Sequence, residues 1–136
     1  MSSTKHTGEC LCGAVKFEIE GEFGHFILCH CSRCQKTSGS AHGANLFSKS
    51  AQLKFLSGED KVRDYLVEGT RFMTTFCTDC GSKLPKDHNG KMLQVPAGSI
   101  TNGLDKRPDA HIFYASRMLW DHDLDDVPKF DEGLKK

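Results

Sequence analysis

Seven cysteines fall in three tight groups: Cys10 and Cys12, then Cys29, Cys31 and Cys34, then Cys77 and Cys80. Their spacings are C-x-C, C-x-C-x-x-C and C-x-x-C-G, and an odd count cannot pair completely as disulfides within one chain. In a reducing compartment, thiols this closely spaced point to metal or redox chemistry rather than to cross-links. A closed zinc site takes four thiolates, and the two outer pairs supply four. The middle group supplies three, which leaves one coordination position open. A closed site holds a fold together, whereas an open one can do chemistry. The count therefore implies one structural metal and one reactive metal in the same short chain.

On an extended strand, residues i and i+2 point to the same side, so Cys10 and Cys12 are expected to reach one ion from a strand. Cys77-Thr78-Asp79-Cys80-Gly81 reads as a zinc knuckle, a tight turn that aims two sulfurs inward over a glycine. Joining the outer pairs closes a long loop, which limits the freedom of the unfolded chain. The three middle thiols are local and need no distant partner. Their fourth position is open to water, to a substrate thiol, or to one of the 7 histidines. Three thiolates over-neutralise a divalent zinc, so a bound water is acidified less than at a three-histidine site. A soft, sulfur-rich site is better suited to binding another sulfur and holding it as the nucleophilic thiolate.

Length and charge bound the rest. At 136 residues the chain reads as one domain spanning 1–136, with a lean 38% hydrophobic content that a metal staple would support. Lys plus Arg and Asp plus Glu are both 18. That balance argues against a nucleic-acid binder. The polar N-terminus lacks the apolar core of a signal peptide, and no apolar run has membrane-spanning length. The expectation is a cytoplasmic protein with no membrane partner. The oligomeric state is not readable.

Val15, Phe17 and Ile19 alternate with Lys16 and Glu18, the period of a half-buried strand. Strand-like stretches follow at 44–47, 52–56, 62–67, 71–76 and 111–115, with Gly58 and Gly69 between them. Asn89-Gly90 reads as a hairpin turn. Residues 35–40 read as a polar loop with a helical turn, and residues 121–136 as an acidic, irregular surface stretch. The fold class is mainly β, built of short antiparallel strands.

Other residues carry less. His30, flanked by two presumed ligands, is expected to point away from them into packing or to the surface. His42 is a candidate proton carrier and His111 a structural hydrogen-bonding group. Arg33 and Lys36 flank Cys34 as candidate carboxylate contacts. Asp121, Asp123, Asp125 and Asp126 read as solvated acid, because an EF-hand glycine and glutamate are missing. Trp120 reads as a core or interface anchor.

The motifs Glu9-Cys10-Leu11-Cys12-Gly13-Ala14-Val15, Cys29-His30-Cys31-Ser32-Arg33-Cys34 and Phe76-Cys77-Thr78-Asp79-Cys80-Gly81-Ser82, in this order, resemble the glutathione-dependent formaldehyde-activating enzyme family. The family includes S-(hydroxymethyl)glutathione synthase and the centromere protein V group. The likeness continues through Ala97-Gly98-Ser99, residues 108–112, Trp120 and residues 128–130. It implies a β-tent fold stapled by a structural zinc on Cys10, Cys12, Cys77 and Cys80. It implies a catalytic zinc on Cys29, Cys31 and Cys34. It also implies a carbon–sulfur lyase that joins a small thiol, such as glutathione, reversibly to an aldehyde such as formaldehyde. Two further readings stay open: a non-enzymatic zinc-stabilised binding module of the same fold, and a thiol redox sensor.

Overall fold

The computed structural model describes residues 4–134. The first strands are β1 (Lys5–Glu9) and β2 (Lys16–Glu20), an antiparallel pair with Gly8 opposite Phe17. Phe17 and Ile19 are fully buried while their strand neighbours face outward, which fixes the register of β2 through its apolar side. β5 (Gln52–Ser57) completes a three-stranded sheet in the order β1-β2-β5. β1 has no apolar alternation to announce it, because the residues it buries are His6 and Gly8. A side chain at Gly8 would put its Cβ 2.3 Å from Phe17 Cζ and 2.5 Å from the Ser99 carbonyl oxygen.

A second sheet has five strands, in the order β10-β3-β4-β9-β8. These are β3 (His25–Cys29), β4 (Gly43–Ser48), β8 (Lys86–His88), β9 (Met92–Pro96) and β10 (Ala110–Ile112). Only the β10–β3 pairing is parallel. Asn89 and Gly90 turn β8 into β9 at φ 57 and 73, the conformation expected of Asn-Gly. β6 (Val62–Leu66) and β7 (Met73–Cys77) form a separate two-stranded ribbon. Between the sheets lies a core that includes Val15, Phe17, Ile19, Leu46, Val95 and Cys77, each at 0% exposure.

An α-helix, α1 (Ser32–Ser38), sits between β3 and β4. Gly39 ends it in the left-handed region at φ 64, where its N–H returns to the Gln35 carbonyl. No helix among the described residues is long and apolar enough to cross a membrane.

The element pattern follows the sequence expectation with instructive offsets. β7 starts at Met73 rather than Arg71, since Glu68 to Arg71 belong to the turn around Gly69 (φ 78). β10 stops at Ile112, because Phe113 adopts φ 52 and a 3-10 turn follows over Tyr114–Ser116. Trp120 is 54% exposed and is not part of the core.

Candidate metal centre

The outer four cysteines converge. Cys10 and Cys12 lie in the turn joining β1 to β2, not on a strand, so a turn rather than strand periodicity aligns them. The Cys10 N–H donates to the Val15 carbonyl at 3.1 Å, and the Val15 N–H lies 3.3 Å from Cys10 Sγ. Cys77 ends β7, and its carbonyl accepts the Gly81 N–H at 2.7 Å. Gly81 itself has φ 77, so the knuckle glycine is needed for its backbone. The Leu11 N–H donates to Ser82 Oγ at 2.9 Å, tying the two turns together.

All four sulfurs lie within 4.8 Å of one another. Cys10 Sγ and Cys12 Sγ are 3.6 Å apart, and Cys12 Sγ and Cys77 Sγ are 4.0 Å apart. A disulfide needs about 2.05 Å. Four sulfurs at about 2.3 Å from a tetrahedral zinc stand about 3.8 Å apart. The spacing thus fits a shared ion and excludes a bridge between these pairs. The seven thiols are all free. Crowding shows in their acidities. Cys80, beside Ser82 Oγ at 3.2 Å, is held down at about 5 by that hydroxyl first and by backbone N–H groups. Cys12 is pushed up to about 11: the Ala14 N–H favours its thiolate, but Cys10, burial and the other two sulfurs outweigh it. Thiols that compete for one proton pool in this way are a donor set that a divalent cation relieves.

The middle three also converge, with all three sulfurs within 4.8 Å. Cys29 ends β3, Cys31 is the residue capping the start of α1, and Cys34 lies in its first turn. The Cys34 N–H lies 3.4 Å from Cys31 Sγ, so the helix start itself sets the spacing of these two. Burial pushes the Cys34 thiol well up, and its two neighbours add to the shift. Burial also raises Cys31, but the N–H groups and thiols around it bring it below its ordinary value. Among the described residues, no histidine nitrogen joins the three sulfurs within that distance.

Cys34 opens onto a cavity of about 250 Å³ between the five-stranded sheet and the β6–β7 ribbon. Gly43 borders it, and an added Cβ there would stand 3.6 Å from Cys34 Sγ. Asn45 and Gln94 line it from the sheet and Phe72 from beside the ribbon, and Lys83 and Lys86 also line it. Arg33 and Lys36 sit exposed on α1 and are not among the lining residues.

His30 is 1% exposed, as packing rather than surface. Its Nε2 stands 2.8 Å from His111 Nδ1, and its Nδ1 stands 3.3 Å from Asp121 Oδ2. His42 and Tyr114 meet its ring edge-on at 5.1 and 5.2 Å between centroids. Burial, then His42, pushes His30 below its ordinary value, which favours a neutral ring. Gln35 Nε2 donates to the carbonyls of both His30 and Ser116, joining α1 to the stretch after β10. His111 is thus a hydrogen-bonding residue, as its position suggested. Asp121 departs from the solvated reading, because a partner far away in sequence faces it. Lys83, too, carried no sequence signal: nothing in Ser82-Lys83-Leu84 distinguishes it from a surface lysine.

The model of the protein family described as "Glutathione-dependent formaldehyde-activating enzyme" matches residues 5–116. Among solved structures, a Rhodobacter sphaeroides protein is similar, with 24% sequence identity and a TM-score of 0.54. That match covers 77% of this chain and 98% of the other. It shows a shared fold.

Proposed function

Because the chain belongs to the glutathione-dependent formaldehyde-activating enzyme family, we propose that it joins a small thiol reversibly to an aldehyde, as an S-(hydroxymethyl)glutathione synthase-like carbon–sulfur lyase. The fold in this reading is a β-tent, a single domain with Cys10, Cys12, Cys77 and Cys80 holding a structural zinc. Cys29, Cys31 and Cys34 hold the second, catalytic zinc. The observation that carries the proposal is the three-sulfur group, which no fourth ligand among the described residues joins, with Cys34 lining a cavity.

When bound there, zinc supplies a soft cation that favours the thiolate form of an incoming sulfur. The protein's own part is positional. β3 and the start of α1 gather three sulfurs, and one of them, that of Cys34, belongs to a residue that also lines the cavity. Gly43 keeps the space beside Cys34 free of a side chain, and the cavity walls hold thiol and aldehyde together, where proximity lowers the barrier. In the addition, a sulfur–carbon bond forms and the carbonyl π bond breaks. The proton lost by the thiol ends on the former carbonyl oxygen, with no change in oxidation state overall. The reverse reaction releases thiol and aldehyde. The free thiols need a reducing setting, which supports a cytoplasmic location.

Exchange of label between free formaldehyde and its glutathione adduct, followed by NMR, tests this against the uncatalysed rate. The zinc-loaded protein is expected to accelerate exchange and Cys31→Ser to abolish the acceleration. Equal exchange rates for the two proteins, with the second zinc retained in Cys31→Ser, would refute it.

A further inference from the structure

The described lysines that sit beside the core are mostly paired. Lys86 meets Asp64 at 2.7 Å and Lys61 meets Asp79 at 2.8 Å. Lys83 is different. It is half-buried, lines the same cavity as Cys34, and makes no ion pair with any described residue; its Nζ donates only to Thr74 Oγ1, at 2.8 Å. A half-buried ammonium with one neutral acceptor is under-satisfied, since it carries three donors and loses part of its hydration. Burial accordingly pushes Lys83 below its ordinary value. Its backbone is held firmly. Residue 83 bridges Phe76 on β7, and the next N–H, that of Leu84, donates to the Thr75 carbonyl at 2.9 Å. A charged group is thus kept, at a cost, in a fixed place facing a cavity.

The opposite wall completes the pattern. Asn45 lies across from Pro96 in the β4–β9 pairing, and Gln94 pairs with both Phe47 and Lys86. Asn45 and Gln94 also line the cavity with side-chain amides, Gln94 with its Oε1 already 3.1 Å from His88 Nε2. Soft sulfur chemistry, side-chain amides and an unpaired cation around one cavity describe a ligand with a thiol and a carboxylate joined by a polar body. From this we infer that Lys83 is the carboxylate anchor of the site and selects anionic thiols over neutral ones. The inference rests on the reading of the middle cysteines as the thiol-binding end, and it assigns the selectivity to Lys83 rather than to Arg33 or Lys36 on the outer face of α1.

Calorimetric titration of the zinc-loaded protein tests it with three probes: glutathione, its diethyl ester with both carboxylates capped, and S-methylglutathione with the sulfur capped. In Lys83→Met, glutathione and S-methylglutathione are expected to bind about tenfold to a hundredfold more weakly, the range for a charged hydrogen bond. Binding of the diester should be unchanged, and Lys83→Arg should recover part of the loss. Lys83→Gln serves in the same way if the methionine variant does not fold. Glutathione affinity unchanged in Lys83→Met or Lys83→Gln overturns the anchor, as does an equal loss for the diester. Failure of the thiol site looks different: glutathione would bind no tighter than S-methylglutathione in the wild type, while both still weakened on loss of Lys83.

Discussion

Replacing Cys77 by serine should convert a metal-tied protein into one whose stability no longer responds to metal. Cys77 is at 0% exposure, within 4.0 Å of Cys12 Sγ, and 65 residues away from it in the chain. Treated as a cross-link of that loop length, the tie restricts the unfolded chain by about 4 kcal/mol. Metal binding as a whole is larger, about 10–16 kcal/mol in small zinc domains. A domain of ordinary stability has only about 5–15 kcal/mol to lose. The loss of the tie alone is then expected to move a urea midpoint down by about 2 M, for a slope near 2 kcal/mol per molar. The assay is urea unfolding followed by far-UV circular dichroism, with and without a zinc chelator. Wild type should fall sharply on chelation, whereas Cys77→Ser should already be low or unfolded and should not move. A variant with the wild-type midpoint and the wild-type response to chelator would refute the assignment of Cys77 to a stabilising metal.

Two further predictions rest on packing and charge. Gly8→Ala drives a Cβ into Phe17 and the Ser99 carbonyl, and thermal unfolding should show a loss of about 1–3 kcal/mol, as overpacking of a rigid site does. The Asp64 carboxyl is buried in part, which would raise it, but the Lys86 ammonium and the Thr75 hydroxyl hold it below its ordinary value. A carboxyl lowered by folding adds stability above its unfolded value of about 3.9, and that part vanishes as pH falls through the lower folded value. The stability difference between wild type and Asp64→Asn, measured by urea unfolding, should therefore shrink as the pH falls through the carboxylate range, while metal loss common to both cancels.

The parts of this protein that were legible in its sequence are those whose cause is local. Val15, Phe17 and Ile19 announce β2 by alternation, and Asn89-Gly90 announces its hairpin through backbone freedom. The cysteine groups announced a metal-type donor set by their close spacing and their count. The mechanism in Cys10-Leu11-Cys12 was not legible, since a C-x-C in a turn and one on a strand look alike in sequence. β1 was hidden because His6 and Gly8, not aliphatic residues, face the core. The Asp121–His30–His111 cluster and the position of Lys83 depend on β10 lying parallel to β3 and on residue 83 reaching β7. Such long-range pairings leave no trace in local pattern.

The central claim is that two cysteine groups do two different jobs, and zinc content per chain measures it most directly, with and without glutathione, beside the Cys34→Ser variant. The two groups predict about two zincs in the wild type, one of them labile to the thiol. Cys34→Ser should stay folded and lose only that one. Two equally inert zincs, or a variant that loses both together and unfolds, would contradict the account.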